Sequence, residues 1–80
     1  MKITYAKLAR KSLDRLDGPT KQRIRRGIHG IPSGDIKRLR GNTDLFRLRV
    51  GDWRVLFSYP DTDTVLIERI SPRGGAYKGV

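Results

Sequence analysis

The sequence predicts an α+β fold: a short N-terminal strand, a helical hairpin, then a three-stranded antiparallel meander forming one small sheet that the helices cover on one face. Residues 45–59, LFRLRVGDWRVLFSY, alternate apolar and polar side chains around Gly51-Asp52, which is typical of a β-hairpin with a two-residue turn. Residues 6–31 instead place apolar side chains three and four apart, which is typical of helices. At 80 residues, the chain is expected to form a single domain, 1–80.

The first half of the chain contains the predicted helices. Residues 2–5 are β-branched and aromatic and predict a short strand. A helix is expected over residues 6–16 and is expected to end at Asp17-Gly18-Pro19. Thr20 is the predicted N-cap of a second helix that runs to about Gly30.

The second half contains the predicted meander. Residues 31–35 have the composition of a loop, and residues 36–40 lead into the hairpin. Residues 60–63 predict a second turn, and residues 64–70 a third strand.

The hairpin is the main functional feature of the sequence. Its short turn fixes the register, which places Arg49 opposite Arg54 and Arg47 on the same face. The opposite face is apolar and comprises Phe46, Leu48, Val50, Trp53, Val55 and Phe57. Like charges opposite each other destabilise a strand pair by up to about 1 kcal/mol. The pairing therefore favours an anionic ligand on the arginine face.

Charge and composition narrow the function classes. Lys and Arg number 18 against 8 Asp and Glu, for a net charge of +10, which favours a polyanionic partner such as nucleic acid or an acidic protein. Solubility is the alternative explanation. The sequence has no cysteine and no apolar run long enough for a signal peptide or a membrane span, so we expect a cytoplasmic protein without membrane contact.

The available side chains exclude several kinds of enzyme. With no cysteine, one histidine and no close pair of acids on an ordered element, the chain lacks the parts of zinc sites, cysteine nucleophiles and two-carboxylate hydrolases. No metal or other cofactor is expected. An arginine cluster can stabilise the transition state of phosphodiester cleavage, and RNA supplies its own 2′-hydroxyl nucleophile. Tyr77 is the best candidate for proton transfer, because arginine is a poor base.

Two basic or polar segments have open interpretations. Lys21, Arg23, Arg25 and Arg26 on the second helix fit a solvated face, a phosphate-contacting edge or a docking groove for an acidic segment. The tail from residue 71 to 80 fits either a frayed terminus or a segment that brings Tyr77 onto the sheet.

The segments KRLRG (37–41), FRLRVGDWRV (46–55) and IERI (67–70), together with Arg73 and Tyr77, resemble the RelE/ParE toxin superfamily and specifically its RelE branch. The resemblance covers nearly the whole chain. It implies the toxin of a microbial type II toxin–antitoxin system that cleaves messenger RNA in the ribosomal A site. It also implies an acidic, partly helical cognate antitoxin, in a toxin–antitoxin complex that is heterotetrameric or larger.

The resemblance assigns catalytic roles by position. Arg47 and Arg49 stand where the family has two basic residues, often lysines, and Arg54 where it has the sheet arginine that holds the scissile phosphate. Arg73 matches a second phosphate-binding arginine, and Tyr77 a tyrosine that stacks on the substrate or assists proton transfer. Arginine in place of a lysine base implies slower cleavage.

Two other functions remain open. A ParE-like toxin shares the fold but poisons DNA gyrase through protein contacts, and it does not require the arginine and tyrosine set. A basic nucleic-acid or ribosome-binding module would bind with a steep salt dependence and release no cut product.

Overall fold

A computed structural model describes residues 1–41 and 44–72 of the chain. Strand β1 (Lys2–Tyr5) is followed by helices α1 (Lys7–Asp14) and α2 (Gly18–His29). The remaining strands are β2 (Asp35–Arg38), β3 (Phe46–Val50), β4 (Trp53–Asp61) and β5 (Thr64–Pro72). The α+β class is confirmed, and no helix among the described residues is long and apolar enough to cross a membrane.

The described residues form a sheet of five strands, in the order β1-β5-β4-β3-β2. The antiparallel meander of β3, β4 and β5 is confirmed at its centre. Strand β1 pairs in parallel with β5, with Lys2 opposite Thr64, and forms one edge of the sheet. Strand β2 pairs antiparallel with β3 and forms the other edge.

Strand β2 is a correction to the prediction of a three-stranded meander. The sequence places Asp35 in a loop and residues 36–40 in a lead-in, but residues 35–38 form an edge strand. Only Ile36 contributes an apolar side chain, and it lies opposite Leu48. Four residues with one apolar side chain have too little pattern to indicate a strand, so pairing with β3 decides their conformation.

The boundary between the helices also differs from the prediction. Asp17 does not end the first helix. It is the N-cap of α2, where its carboxylate accepts a hydrogen bond from the Thr20 backbone N–H at 3.1 Å. Pro19 lies in the first turn, where a missing N–H costs nothing. Hydrogen bonds from the Thr20 hydroxyl, which has the largest effect, and from the Thr20 backbone N–H hold the pKa of Asp17 below its ordinary value of 3.8.

The helices cover one face of the sheet and enclose the core. Helix α1 packs over β5 and α2 packs over β3. The core side chains from both layers include Ala9, Leu13, Ile24, Ile28, Leu48, Val55, Phe57, Val65, Ile67 and Ile70. Gly27 permits the close approach of α2, because a Cβ there would lie 2.8 Å from Cγ2 of Val50. The helix-covered face is therefore the apolar face of the hairpin.

Candidate nucleic-acid interface

The β3–β4 hairpin has the predicted register. Val50 lies opposite Trp53, Arg49 opposite Arg54, and Arg47 opposite Leu56. Gly51 occupies the turn with a φ of 58°, in the left-handed region that a tight hairpin turn requires. Since side chains alternate across a strand, Arg47, Arg49 and Arg54 all lie on the face away from the helices, here called the open face.

Four strands contribute to the open face in two rows of directly paired residues. The first row runs across β2, β3, β4 and β5 as Lys37, Arg47, Leu56 and Arg69. The second row runs in the same order as Asp35, Arg49, Arg54 and Ser71. Neighbouring positions in a row are about 5 Å apart, so the arginines of the two rows form one continuous cluster.

A shallow depression of ≈ 560 Å³ lies at the β2 side of this cluster. Its lining residues are Lys37, Arg38, Leu39, Arg40, Arg47, Arg49 and Arg54. Six of these seven side chains are basic and none is acidic. The depression thus concentrates positive charge in a concave surface, where an anion meets several donors at once.

Two of the arginines near the depression have carboxylate partners. Arg47 forms an ion pair with Asp35 at 3.6 Å, and its side chain is only 12% exposed. Arg38 pairs with Asp44 at 3.4 Å, and its guanidinium lies over the Phe46 ring.

Arg49 and Arg54 have no carboxylate partner within residues 1–41 and 44–72. Arg54 makes only a long hydrogen bond, from Nη1 to the Trp53 carbonyl oxygen at 3.4 Å. Opposite Arg54, the Ser71 Oγ is buried without a hydrogen-bond partner among the described residues. The two arginines therefore keep donors available for an anion.

The structure brings together three of the five predicted site residues: Arg47, Arg49 and Arg54 line the same depression. Arg73 and Tyr77 lie outside the described residues, so their positions and roles stay predictions. The catalytic roles assigned to the three sheet arginines also stay predictions.

Sequence reasoning missed two further basic residues on the open face, Lys37 and Arg69. Lys37 was missed because β2 has almost no strand pattern. Arg69 was missed because strand alternation is interrupted between Ile67 and Ile70, which are both buried although they are three residues apart. That odd spacing of apolar residues was the available signal for an irregular strand.

Comparison with known proteins identifies the family. Residues 3–77 match the family described as ParE toxin of type II toxin–antitoxin system, parDE. The chain belongs to the RelE/ParE toxin superfamily. A curated relative of the superfamily, "Putative toxin RelE1" of Methanocaldococcus jannaschii, is 44% identical over 45 residues, which are 55% of this chain and 50% of the relative. The match thus spans half the length of that relative.

Solved structures of the superfamily have the same fold. A chain of the RelB–RelE antitoxin–toxin complex of Methanococcus jannaschii is 26% identical, with a TM-score of 0.74 over 92% of this chain and 94% of that one. In the RelBE2 complex of Mycobacterium tuberculosis, the similar chain is 26% identical, with a TM-score of 0.77 over 90% and 96%. The isolated Escherichia coli RelE toxin, at 15% identity and a TM-score of 0.75, covers 90% of this chain and 83% of its own and shares the fold.

Proposed function

We propose that this protein is the toxin of a type II toxin–antitoxin system, and that it cleaves messenger RNA in the ribosomal A site without a metal ion. The observation that carries the proposal is the pairing of Arg49 with Arg54 at the edge of a depression lined by six lysine and arginine side chains. Folding alone gives no reason for that pairing, because the repulsion between the two guanidiniums opposes it. A bound phosphodiester removes the repulsion.

The proposed reaction begins with the RNA 2′-hydroxyl, which attacks the adjacent phosphorus and displaces the 5′-oxygen of the next nucleotide. The transition state has an extra negative charge on the phosphoryl oxygens, which Arg54 and Arg49 stabilise by charge-assisted hydrogen bonds. Arg73 is proposed as a second phosphate ligand. The 2′-hydroxyl loses a proton as it attacks, and the departing 5′-oxygen must gain one. Tyr77 is proposed to transfer a proton in this reaction, since arginine stays protonated at neutral pH and is a weak base.

The cognate antitoxin is proposed as the second partner of this surface. The superfamily structures from M. jannaschii and M. tuberculosis are toxin–antitoxin complexes. A chain with a net charge of +10 attracts an acidic partner, and an antitoxin that covers the open face would exclude RNA from the arginine cluster. We propose a partly helical acidic antitoxin and an assembly of two toxins with two antitoxins, or larger.

A direct test uses purified protein and ribosomes programmed with a defined messenger. We expect a cut inside the A-site codon, with a 2′,3′-cyclic phosphate on the upstream product, and no cut of the same RNA without ribosomes. A 2′-deoxy nucleotide on the 5′ side of the cut should block cleavage, since it removes the nucleophile. Intact messenger after incubation with folded wild-type protein would overturn the proposal.

Matched variants connect the reaction to the open face. Arg54→Gln should abolish cleavage while the melting temperature stays close to that of the wild type. Arg15→Gln removes the same charge from the exposed C-cap of α1 and should cleave at the wild-type rate. Arg73→Ala and Tyr77→Phe test the two proposed residues of the tail, and each should lower the limiting rate.

Gyrase inhibition is the second candidate, because the matching family is described by its ParE member. A supercoiling assay with purified DNA gyrase separates the two functions. Inhibition of gyrase that Arg54→Gln leaves unchanged, together with intact ribosome-bound messenger, would assign this chain to the gyrase-inhibiting class.

A further inference from the structure

Strand β5 contains a β-bulge beside the arginine cluster. Its partners on β4 run regularly from Ser71 opposite Arg54 to Arg69 opposite Leu56, but Phe57 then pairs with Ile67. Glu68 is therefore an extra residue. The bulge lets Ile67 and Ile70 both enter the core, and it leaves Arg69 beside Leu56 on the open face.

Arg69 is positioned symmetrically to Arg47 with respect to Arg54. Each lies directly opposite Leu56, one on β5 and the other on β3. Each is also diagonal to Arg54, at a typical Cβ separation of about 7–8 Å that long side chains can bridge. Only 2% of Leu56 is exposed although it lies on the open face, where it lines a second depression together with Leu45 and Arg69.

The two flanking arginines differ in the charge that they can offer. Arg47 is neutralised by Asp35 and is mostly buried. Arg69 is exposed and has no carboxylate partner among the residues that the structure describes. An anion that extends from Arg54 towards β5 would therefore meet a guanidinium that forms no ion pair within residues 1–41 and 44–72, although the Glu68 side chain lines the same depression as Arg69.

We infer that Arg69 is a substrate-binding residue that contacts the phosphate next to the one held by Arg54, so that the RNA strand crosses β4 towards β5. The inference rests on the proposed function for its substrate. It extends the binding surface beyond the depression at the β2 side, and it makes the bulge at Glu68 part of the site.

The test uses an all-2′-O-methyl RNA trinucleotide, which cannot be cleaved, and measures binding by NMR titration without ribosomes. Two further probes replace one of the two phosphates at a time with a neutral methylphosphonate. Arg69→Gln should weaken binding of the unmodified probe about threefold to tenfold, the size of one charge-assisted contact. Arg69→Lys should recover most of the loss, and Arg15→Gln, at the exposed C-cap of α1, should bind as the wild type does.

The decisive result is a double-mutant cycle between protein and probe. Replacing one phosphate with methylphosphonate should weaken binding to the wild type but leave binding to Arg69→Gln almost unchanged. Replacing the other phosphate should weaken binding to the wild type but leave binding to Arg54→Gln almost unchanged. If the losses of binding free energy caused by Arg69→Gln and by each methylphosphonate simply add, for both modified probes, the inference would be overturned. Because the probes need no ribosome and no cleavage, this result is independent of the messenger-cleavage assay.

Discussion

Arg49 and Arg54 lie directly opposite each other in the β3–β4 hairpin, and neither has a carboxylate partner among the described residues. The sheet thus keeps two guanidiniums adjacent at a cost to its own stability. Function and stability should consequently respond in opposite directions to changes in this pair.

Arg49→Gln should stabilise the fold while weakening RNA binding. Removing one guanidinium relieves cross-strand repulsion of about 0.2–1 kcal/mol, so the free energy of unfolding should rise at low ionic strength. The gain should shrink at 1 M salt, where the Debye length is about 3 Å. Urea unfolding of wild type and variant at low ionic strength and at 1 M salt measures this gain in the free energy of unfolding. A gain that is equal at both concentrations would point to strand propensity and would contradict the repulsion.

Asp35→Asn should tighten RNA binding. It releases Arg47 from its ion pair and removes a negative charge from the second row of the open face. We expect an affinity gain of about twofold to fivefold for the trinucleotide probe, because the Asp35 side chain is 57% exposed and ion pairs at the surface contribute less than about 1 kcal/mol. Asp14→Asn, at the end of α1, changes the net charge equally and is the control. Equal gains in both variants would show that only net charge matters.

Gly27→Ala should destabilise the protein although alanine is the better helix former. A Cβ at Gly27 would lie 2.8 Å from Val50 Cγ2, and the stiff valine cannot move without disturbing β3. We expect a loss of about 1–3 kcal/mol in the free energy of unfolding. Gly30→Ala, at the C-terminal end of the same helix with a φ of −82° and no atom closer than 3.4 Å to the new Cβ, should be neutral or stabilising. Chemical denaturation of both variants gives the comparison.

Asp17→Ala should lower the melting temperature at neutral pH, because α2 loses its N-cap. The folded-state pKa of Asp17 is depressed, so its stabilising contribution is present above the ordinary value of 3.8 and is lost as the pH falls through the folded-state pKa. The difference in melting temperature between wild type and variant should therefore be largest near pH 7 and should shrink below pH 3.8. A difference that does not change with pH would assign the effect to helix propensity.

Local sequence patterns predicted the parts of the fold that depend on near neighbours. The hairpin register follows from a two-residue turn, so every predicted pair from Phe46–Phe57 to Val50–Trp53 is present. The boundary near Asp17 was less predictable, because Asp-Gly-Pro can end one helix or begin the next. The hydrogen bond that the Thr20 backbone N–H donates to the Asp17 carboxylate shows that the segment begins the second helix.

The sequence by itself therefore determined the α+β class, the helical hairpin and the placement of Arg47, Arg49 and Arg54 on one face, because turn length and side-chain alternation are local properties. Only the tertiary structure decided that β2 joins the sheet, that Asp35 neutralises Arg47 and that the bulge leaves Arg69 beside Leu56. These features arise from pairing between distant segments and from the need to bury both Ile67 and Ile70. Such constraints come from the packed core and are absent from any short stretch of the chain.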